Sequence, residues 1–247
     1  MHRVDRLAHD NRLSQRHPVE KLALAGGMLC LGLVLPPWPG AAIVAVVMAA
    51  AALGPAGVAV GDYLRVLAVP AGFLAAGLAV LPLALDLGPG GPSLSLSPEG
   101  LALAVGTGLR ALAGVSCLTF LAVTTPPADL VWVLRRLRVS PAVIDIMLLT
   151  YRFVMCMTEV AARGMIAQQA RLGWSSVPRR VRSAGMLAAA LLPRTLDRAR
   201  RLELGLAARG YDGVLAVPVE RPGPSPVVLL AIGLVEAVVA LAAQWPS

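Results

Sequence analysis

Residues 101–127, LALAVGTGLRALAGVSCLTFLAVTTPP, are the stretch of sequence that decides the fold. Residues 101–123 carry a single charge, Arg110, and at about 1.5 Å of rise per residue a helix of this length crosses a bilayer. Thr124-Thr125-Pro126-Pro127 then ends the helix, because proline has no backbone N–H to donate. The stretch predicts a membrane span that stops abruptly before the segment behind it.

The composition of the whole chain is also that of a membrane protein. Of its 247 residues 57% are apolar and 15% are charged, and its mean hydropathy is +0.73. A soluble domain is usually about half apolar and about a quarter charged, so this excess favours a lipid environment. Aromatic residues are only 4%, so the apolar side chains are mostly small or aliphatic and allow helices to approach closely. We expect an all-α integral membrane protein.

Four more apolar runs lie on either side of the central one, at residues 22–35, 41–60, 64–85 and 227–243. Together the runs predict about five transmembrane helices. The first run is short, so its helix is expected to begin within residues 17–21, and the first two runs form either two full spans or a partly re-entrant hairpin. Residues 36–40 (PPWPG) predict a turn, and residues 86–100, rich in Gly, Pro and Ser, predict a loop.

The distribution of charge predicts which segments face the cytoplasm. Residues 124–221 hold fifteen Lys and Arg against seven Asp and Glu, a balance of +8 that equals the net charge of the chain. Basic residues concentrate in cytoplasmic segments, so this insert and the basic leader lie inside, whereas the loop 86–100 and the C-terminus lie outside. The chain divides into a cytoplasmic leader (1–21), a four-span bundle (22–123), a helical cytoplasmic insert (124–221) and a last span with the C-terminus (222–247).

The insert is expected to contain two long helices. Ser140 as an N-cap and Pro141 in the first turn start a helix that runs to about Leu172. A second helix runs from about Val177 to Ala208, and Pro193 should kink or divide it. Glu159 and Arg163 in the first helix have the i,i+4 spacing of an ion pair on a solvated face.

Both helices of the insert end in a similar short motif. The first is Ala170-Arg171-Leu172-Gly173-Trp174, and the second is Ala208-Arg209-Gly210-Tyr211. One interpretation is an ordinary helix C-terminus, with glycine in the left-handed turn and an arginine favoured by the helix dipole. The other is that each arginine is the tip of a docking helix, because a guanidinium offers a planar fork of donors to carboxylates of a partner.

Several motifs in this order make the chain similar to one known family. They are Thr124-Thr125-Pro126-Pro127 with Asp129-Leu130, Leu134-Arg135-Arg136-Leu137, Leu148-Leu149-Thr150-Tyr151-Arg152, Ala167-Gln168-Gln169-Ala170-Arg171-Leu172-Gly173 and Ala207-Ala208-Arg209-Gly210-Tyr211-Asp212-Gly213. The chain resembles the T component of energy-coupling-factor importers, specifically the CbiQ-type subunit of cobalt and nickel systems. The resemblance covers nearly the whole chain.

The resemblance implies a role and a set of partners. The segments Ala170-Arg171-Leu172 and Ala208-Arg209-Gly210 would end two coupling helices that dock on two ATP-binding cassette ATPase subunits. A separate membrane subunit would select the metal, and the partners would bind ATP, so this chain is expected to hold no cofactor or metal of its own. It would lie in the plasma membrane of a prokaryote. Leu172, where many relatives outside the cobalt branch have glycine, favours cobalt or nickel as the substrate.

Other residues that could carry chemistry are weaker candidates. His2, His9 and His17 could share one helix face and bind cobalt or nickel, but a polar chain end is disordered by default. Cys30, Cys117 and Cys156 lie too far apart for a zinc or disulfide pattern. The chain has no phosphate-binding loop and no catalytic grouping, so we expect no enzyme.

Arg110 is costly inside a membrane span if it faces lipid, so we expect it either to snorkel or to pair inside the bundle, where Glu236 and Asp62 are its possible partners.

Three other functions remain open at this stage. The chain could serve vitamin-selecting subunits instead of a metal-selecting one. It could be a membrane scaffold that takes no part in transport. A basic pI near 10.6 also allows a membrane anchor for nucleic acid, although basic segments that alternate with apolar spans favour a transporter.

Overall fold

The computed structural model describes residues 2–86, 93–211 and 223–244. In chain order its elements are α1 (His2–Asp10), α2 (Pro18–Val34), α3 (Ala42–Leu53), α4 (Val60–Leu78), β1 (Leu83–Asp86), β2 (Ser93–Leu96), α5 (Pro98–Thr124), α6 (Pro127–Arg136), α7 (Pro141–Ala170), α8 (Val177–Ala207) and α9 (Pro226–Gln244). The predicted all-α class is confirmed, and the only strands among the described residues form one short antiparallel pair.

The chain forms two compact units. The first, the membrane unit, contains Met1–Asp129 and Glu220–Ser247, and the second, the insert unit, contains Leu130–Val219. The division of the chain by membrane side, into leader, bundle, insert and last span, stays a prediction.

Helix α5 is the centre of the membrane unit, and α1, α2, α3 and α4 all pack against it. The fully buried side chains include Met28, Met48 and Phe120, which come from three different helices. Gly32 of α2 faces Ala113 of α5, and a Cβ on Gly32 would lie 3.4 Å from the Cβ of Ala113, at ordinary contact distance. This is the small-residue packing that the low aromatic content predicts.

Among the residues that the structure describes, three helices of this unit are long and apolar enough to cross a membrane: α4, α5 and α9. Their outer faces carry exposed apolar side chains such as Phe73 (81% exposed) and Val69 (79%), which suits contact with lipid. Helices α2 and α3 have 17 and 12 residues. The total of five spans therefore stays a prediction, whereas a helical membrane protein is established.

The third predicted span, 64–85, is wrong at both ends. Helix α4 begins at Val60 and ends at Leu78, and Leu83–Asp86 forms strand β1 instead of the end of a helix. Strand β2 pairs with it in the register Leu83↔Leu96 and Asp86↔Ser93, inside the segment predicted to be a loop. Both strands alternate leucine with a smaller or polar residue, and this period of two favours a strand over a helix.

The N-terminal leader is folded rather than disordered. Helix α1 packs against α5, and Ala8 is 1% exposed. The side-chain amide of Asn11 donates to the backbone oxygens of Ala8 at 2.7 Å and Val123 at 3.2 Å. The leader belongs to the core because its few apolar residues and this amide find partners on α5, which the local sequence does not reveal. The predicted start of α2 within 17–21 is confirmed, at Pro18.

A buried lysine joins the start of α2 to the end of α5. Lys21 is 3% exposed, and its Nζ donates to the backbone oxygen of Thr124 at 2.7 Å. The last carbonyls of a helix have no partner within it, so the lysine satisfies a group that the Thr-Thr-Pro-Pro break leaves open. Beside it, Glu20 Oε1 accepts the backbone N–H of Ser225 at 2.8 Å, just before α9.

In the insert unit, α7 and α8 form an antiparallel hairpin. A Cβ on Gly164 would meet Leu187, and Thr195 Oγ1 donates to Met157 Sδ at 3.2 Å. The later residue of α7 therefore faces the earlier residue of α8, as in an antiparallel pair. The predicted bounds of both helices are confirmed within two residues, although the Ser140 side chain makes no capping hydrogen bond. Helix α8 is not divided at Pro193.

The predicted ion pair between Glu159 and Arg163 is confirmed, with Oε1 and NH2 3.5 Å apart on an exposed face of α7.

Replacing Lys21 with methionine should destabilise the membrane unit. The change removes the donor to Thr124 and leaves a buried carbonyl unsatisfied, which costs about 1–3 kcal/mol. The expected result is a lower thermal unfolding midpoint in detergent. Arg16→Met is the matched control, because Arg16 is exposed and lies only five residues before Lys21, outside α2. Equal midpoints for the two variants would contradict this role of Lys21.

Candidate functional site

The C-terminal end of α7 is closed by a two-bond cap. Leu172 donates its N–H to the Gln169 oxygen at 3.0 Å, and Gly173 donates to the Gln168 oxygen at 2.8 Å. Leu172 has φ 55°, in the left-handed region. These bonds and this conformation define a Schellman cap, with Arg171 as the last residue before the turn.

The end of α8 has the same cap. Gly210 donates to the Ala207 oxygen at 3.1 Å, Tyr211 donates to the Leu206 oxygen at 3.1 Å, and Gly210 has φ 70°. Arg209 therefore stands in the same place as Arg171, immediately before the left-handed residue. The two motifs align in structure as 170–172 and 208–210, even though their sequences differ by the extra leucine.

The sequence predicts the wrong left-handed residue in the first motif. Leu172 turns the chain, and Gly173 is needed for a different reason: a Cβ on it would lie 2.5 Å from Ser183 Oγ and 2.9 Å from the Gln168 oxygen. A left-handed conformation costs a residue with a Cβ about 1–2 kcal/mol. The sequence signal for this difference is the extra leucine between Arg171 and Gly173, because the residue directly after the arginine takes the left-handed conformation in both motifs.

Both arginines are accessible and have no partner within the described part of the chain. Their side chains are exposed, and neither guanidinium forms an ion pair or hydrogen bond with the residues of 2–86, 93–211 and 223–244. Beside them Leu172 is 67% exposed and Tyr211 is 40% exposed. Each tip thus offers a cation next to an apolar side chain, a combination that suits a groove with a carboxylate in it.

The two tips lie at opposite ends of α8. Arg171 is at the turn of the α7–α8 hairpin, before α8 begins, and Arg209 follows the last residue of α8. The helix has 31 residues, so at about 1.5 Å per residue it is about 45 Å long. The two arginines are therefore too far apart to enter one groove of a partner protein.

His9 and His17 do not share one helix face. Helix α1 ends at Asp10, so His17 lies outside the helix that carries His9. His9 Nδ1 lies 2.8 Å from the Asp5 backbone oxygen, whereas the His17 side chain accepts the N–H of Val19 and caps α2. Across the described ranges no three or more His, Cys, Asp or Glu side chains are grouped so as to hold a metal ion.

Of the two alternatives for Arg110, pairing with Glu236 or Asp62 is not found in the structure. Its side chain is exposed on α5 and bonds to neither proposed partner. Asp62 Oδ1 lies 3.4 Å from Arg65 NH1, and the carboxyl group of Glu236 packs against Gly27 of α2. The structure therefore offers no partner for Arg110 within the described residues.

Comparison with known proteins gives one consistent result. The family model described as CbiQ, cobalt transport protein, matches residues 10–219, which include both arginine tips. The cobalt transport protein CbiQ of Rhodobacter capsulatus is 45% identical over 226 residues, covering 92% of this chain and 91% of the relative. The CbiQ protein of Salmonella typhimurium is 28% identical over 219 residues, covering 85% and 97%.

A third relative is a longer protein. The putative fused cobalt transport protein CbiMQ of Methanocorpusculum labreanum is 34% identical over 125 residues, covering 51% of this chain and 21% of the relative.

The cap on α8 can be tested with two glycines of opposite expected effect. Gly210→Ala places a Cβ at φ 70° and should weaken the cap by about 1 kcal/mol. Gly205→Ala lies inside the helix with open space around it and should strengthen α8 by about 1 kcal/mol. Amide hydrogen exchange in residues 206–211 should speed up in the first variant and slow down in the second. Unchanged or slower exchange in the Gly210 variant would contradict the left-handed cap.

Proposed function

Because the chain belongs to the CbiQ family of cobalt transport proteins, we propose that it is the transmembrane coupling subunit of an energy-coupling-factor importer for cobalt or nickel. Members of this family are membrane components of transport systems and not enzymes, and they act in complexes with other subunits. The finer role proposed here is the transfer of motion from ATPase subunits to a membrane subunit that selects the metal.

The observation that carries the proposal is the repeated cap with its arginine. Two helix ends with the same pattern of capping bonds each present a guanidinium that has no partner among the described residues, and the length of α8 holds them far apart. Guanidinium and carboxylate form paired, charge-assisted hydrogen bonds. Two copies of one ATPase subunit, each with an acidic groove, would bind the two similar helix ends of this chain. Ala170, Leu172, Ala208 and Gly210 complete the two docking segments.

The mechanism follows from the stiffness of the hairpin. ATP would bind to the partner subunits, and their closing and opening would change the distance between the two acidic grooves. A continuous helix does not shorten, so α8 and the α7 helix packed on it must turn or tilt as one body when the grooves move. That movement would pass through the insert to the metal-selecting subunit.

The location of the parts follows from charge. The leader and the insert 124–221 would lie in the cytoplasm of a prokaryote, where ATP is available, and the spans would lie in its plasma membrane. The chain itself would bind neither ATP nor metal. The name of the fused relative joins two cobalt transport segments in one protein, and this supports a separate metal-selecting membrane partner for the present chain. The names of the relatives also favour cobalt over vitamins.

Removing the two guanidiniums should uncouple transport. We expect Arg171→Ala with Arg209→Ala to abolish ATP-driven cobalt uptake in cells or vesicles that hold the complete complex. Each single change should weaken ATPase binding by about tenfold, because a hydrogen bond to a charged group contributes about 1.5–3 kcal/mol. Binding is measured by co-purification of the ATPase subunits with the tagged chain.

The matched control for this experiment is Arg182→Ala with Arg200→Ala. Both residues are exposed on α8, and neither is part of a cap. The control should keep uptake and ATPase binding. Full uptake by the tip variant would show that the arginines are not coupling elements, and uptake of a vitamin in place of cobalt would favour the vitamin branch.

A further inference from the structure

A cavity between α7 and α8 carries an unusual concentration of arginine. Its volume is about 220 Å³, and it is lined by Arg152, Phe153, Arg198, Arg201 and Leu202. Arg152 belongs to the Leu-Leu-Thr-Tyr-Arg stretch of the sequence, which the coupling role does not use. The antiparallel hairpin brings this residue of α7 opposite the last third of α8.

The cavity has an excess of positive charge. Arg201 NH2 pairs with Asp197 Oδ2 at 2.8 Å. Arg152 and Arg198 have exposed side chains and form no ion pair or hydrogen bond with the part of the chain that the structure describes. Two unpaired guanidiniums beside a third thus face the same space, and like charges held together in this way favour an anionic ligand.

An apolar groove adjoins the arginine cavity. Its volume is about 430 Å³, and its lining comes from one face of α7 with one residue of α8: Ile146, Leu149, Thr150, Phe153, Val154, Met157 and Thr195. Phe153 lines both spaces, so the groove and the cavity meet at this ring. Ile146 is 63% exposed at the outer end of the groove, although it is a large apolar side chain.

We propose that the α7–α8 hairpin binds an anionic phospholipid. The phosphodiester lies among Arg152, Arg198 and Arg201, and an acyl chain lies in the apolar groove. Guanidinium groups match phosphate oxygens in charge and geometry, and arginine clusters on amphipathic helices next to a membrane bind anionic headgroups. Free phosphate shares the headgroup chemistry, but it would leave the groove and Ile146 exposed to water. The ligand is available, because this chain is a membrane protein.

The first test asks whether the arginines select the headgroup. The full-length chain in a neutral detergent is given equal amounts of phosphatidylglycerol and phosphatidylcholine with the same acyl chains, and retained lipid is measured by native mass spectrometry. The wild type should retain phosphatidylglycerol. Arg152→Gln with Arg198→Gln should lower this retention by about tenfold or more. Arg182→Gln with Arg200→Gln, which removes the same charge elsewhere on α8, should leave it unchanged.

The second test separates a lipid from free phosphate. Ile146→Gln should lower phosphatidylglycerol retention severalfold, whereas binding of inorganic phosphate, measured by calorimetry, should not change. Ile166→Gln is the matched control, because Ile166 is 67% exposed on the same helix and lies outside the groove. Wild-type retention in the Ile146 variant, with displacement of the lipid by inorganic phosphate, would overturn the lipid assignment.

Equal retention of the two lipids by the wild type would also overturn the proposal, and would favour an acidic segment of a partner protein at these arginines. An equal loss of phosphatidylglycerol in the Arg152/Arg198 variant and in the Arg182/Arg200 control would overturn it as well. No ATPase is present in either test, so these results do not depend on the proposed coupling function.

Discussion

The candidate site depends on one constraint: α8 is a single helix from Val177 to Ala207. A proline inside a helix removes one hydrogen bond and costs about 3 kcal/mol or more, yet the helix continues through Pro193. Contacts with α7 on both sides of the proline support it, at Leu187 against Gly164 and at Thr195 against Met157. Because the helix is continuous, it separates the α7–α8 turn that carries Arg171 from the C-terminal end that precedes Arg209.

The two caps place each arginine at the same backbone position, immediately before the left-handed residue, and both side chains are exposed. A Schellman cap reverses the chain within two residues, so the arginine before the turn stays at the end of the helix and outside the following segment. Glycine adopts the required conformation freely at position 210, whereas Leu172 adopts it at a cost. Arg171 beside it has no partner among the described residues, so the proposed docking would give this costly conformation of an exposed leucine a role. The second basic region, around Arg152 and Arg198, has a different environment, with an apolar groove next to it.

Local pattern was sufficient for much of this structure. The long helices α5, α7, α8 and α9 follow from apolar runs, from prolines in the first turn and from the arginine motifs that end two of them. Long-range pairing was not predictable in this way. The fold of the leader depends on Asn11 reaching Val123, and the arginine cavity depends on the hairpin that brings Arg152 to Arg198. The β1–β2 pair was not predicted, because the leucines of β1 also continue the apolar run before them. Leu172 was not predicted as the left-handed residue, because the glycine that follows it is the residue type that usually takes this conformation.

The most direct measurement of the account places a photo-crosslinking amino acid beside each tip of α8 in the assembled transporter. The positions are Ser176 and Tyr211, with Met186 in the middle of α8 as the control, since all three side chains are exposed. The account predicts that the first two positions cross-link to ATPase subunits, and that a chain with both labels captures two ATPase copies. Cross-links from Met186 alone, or none from the two ends, would contradict it.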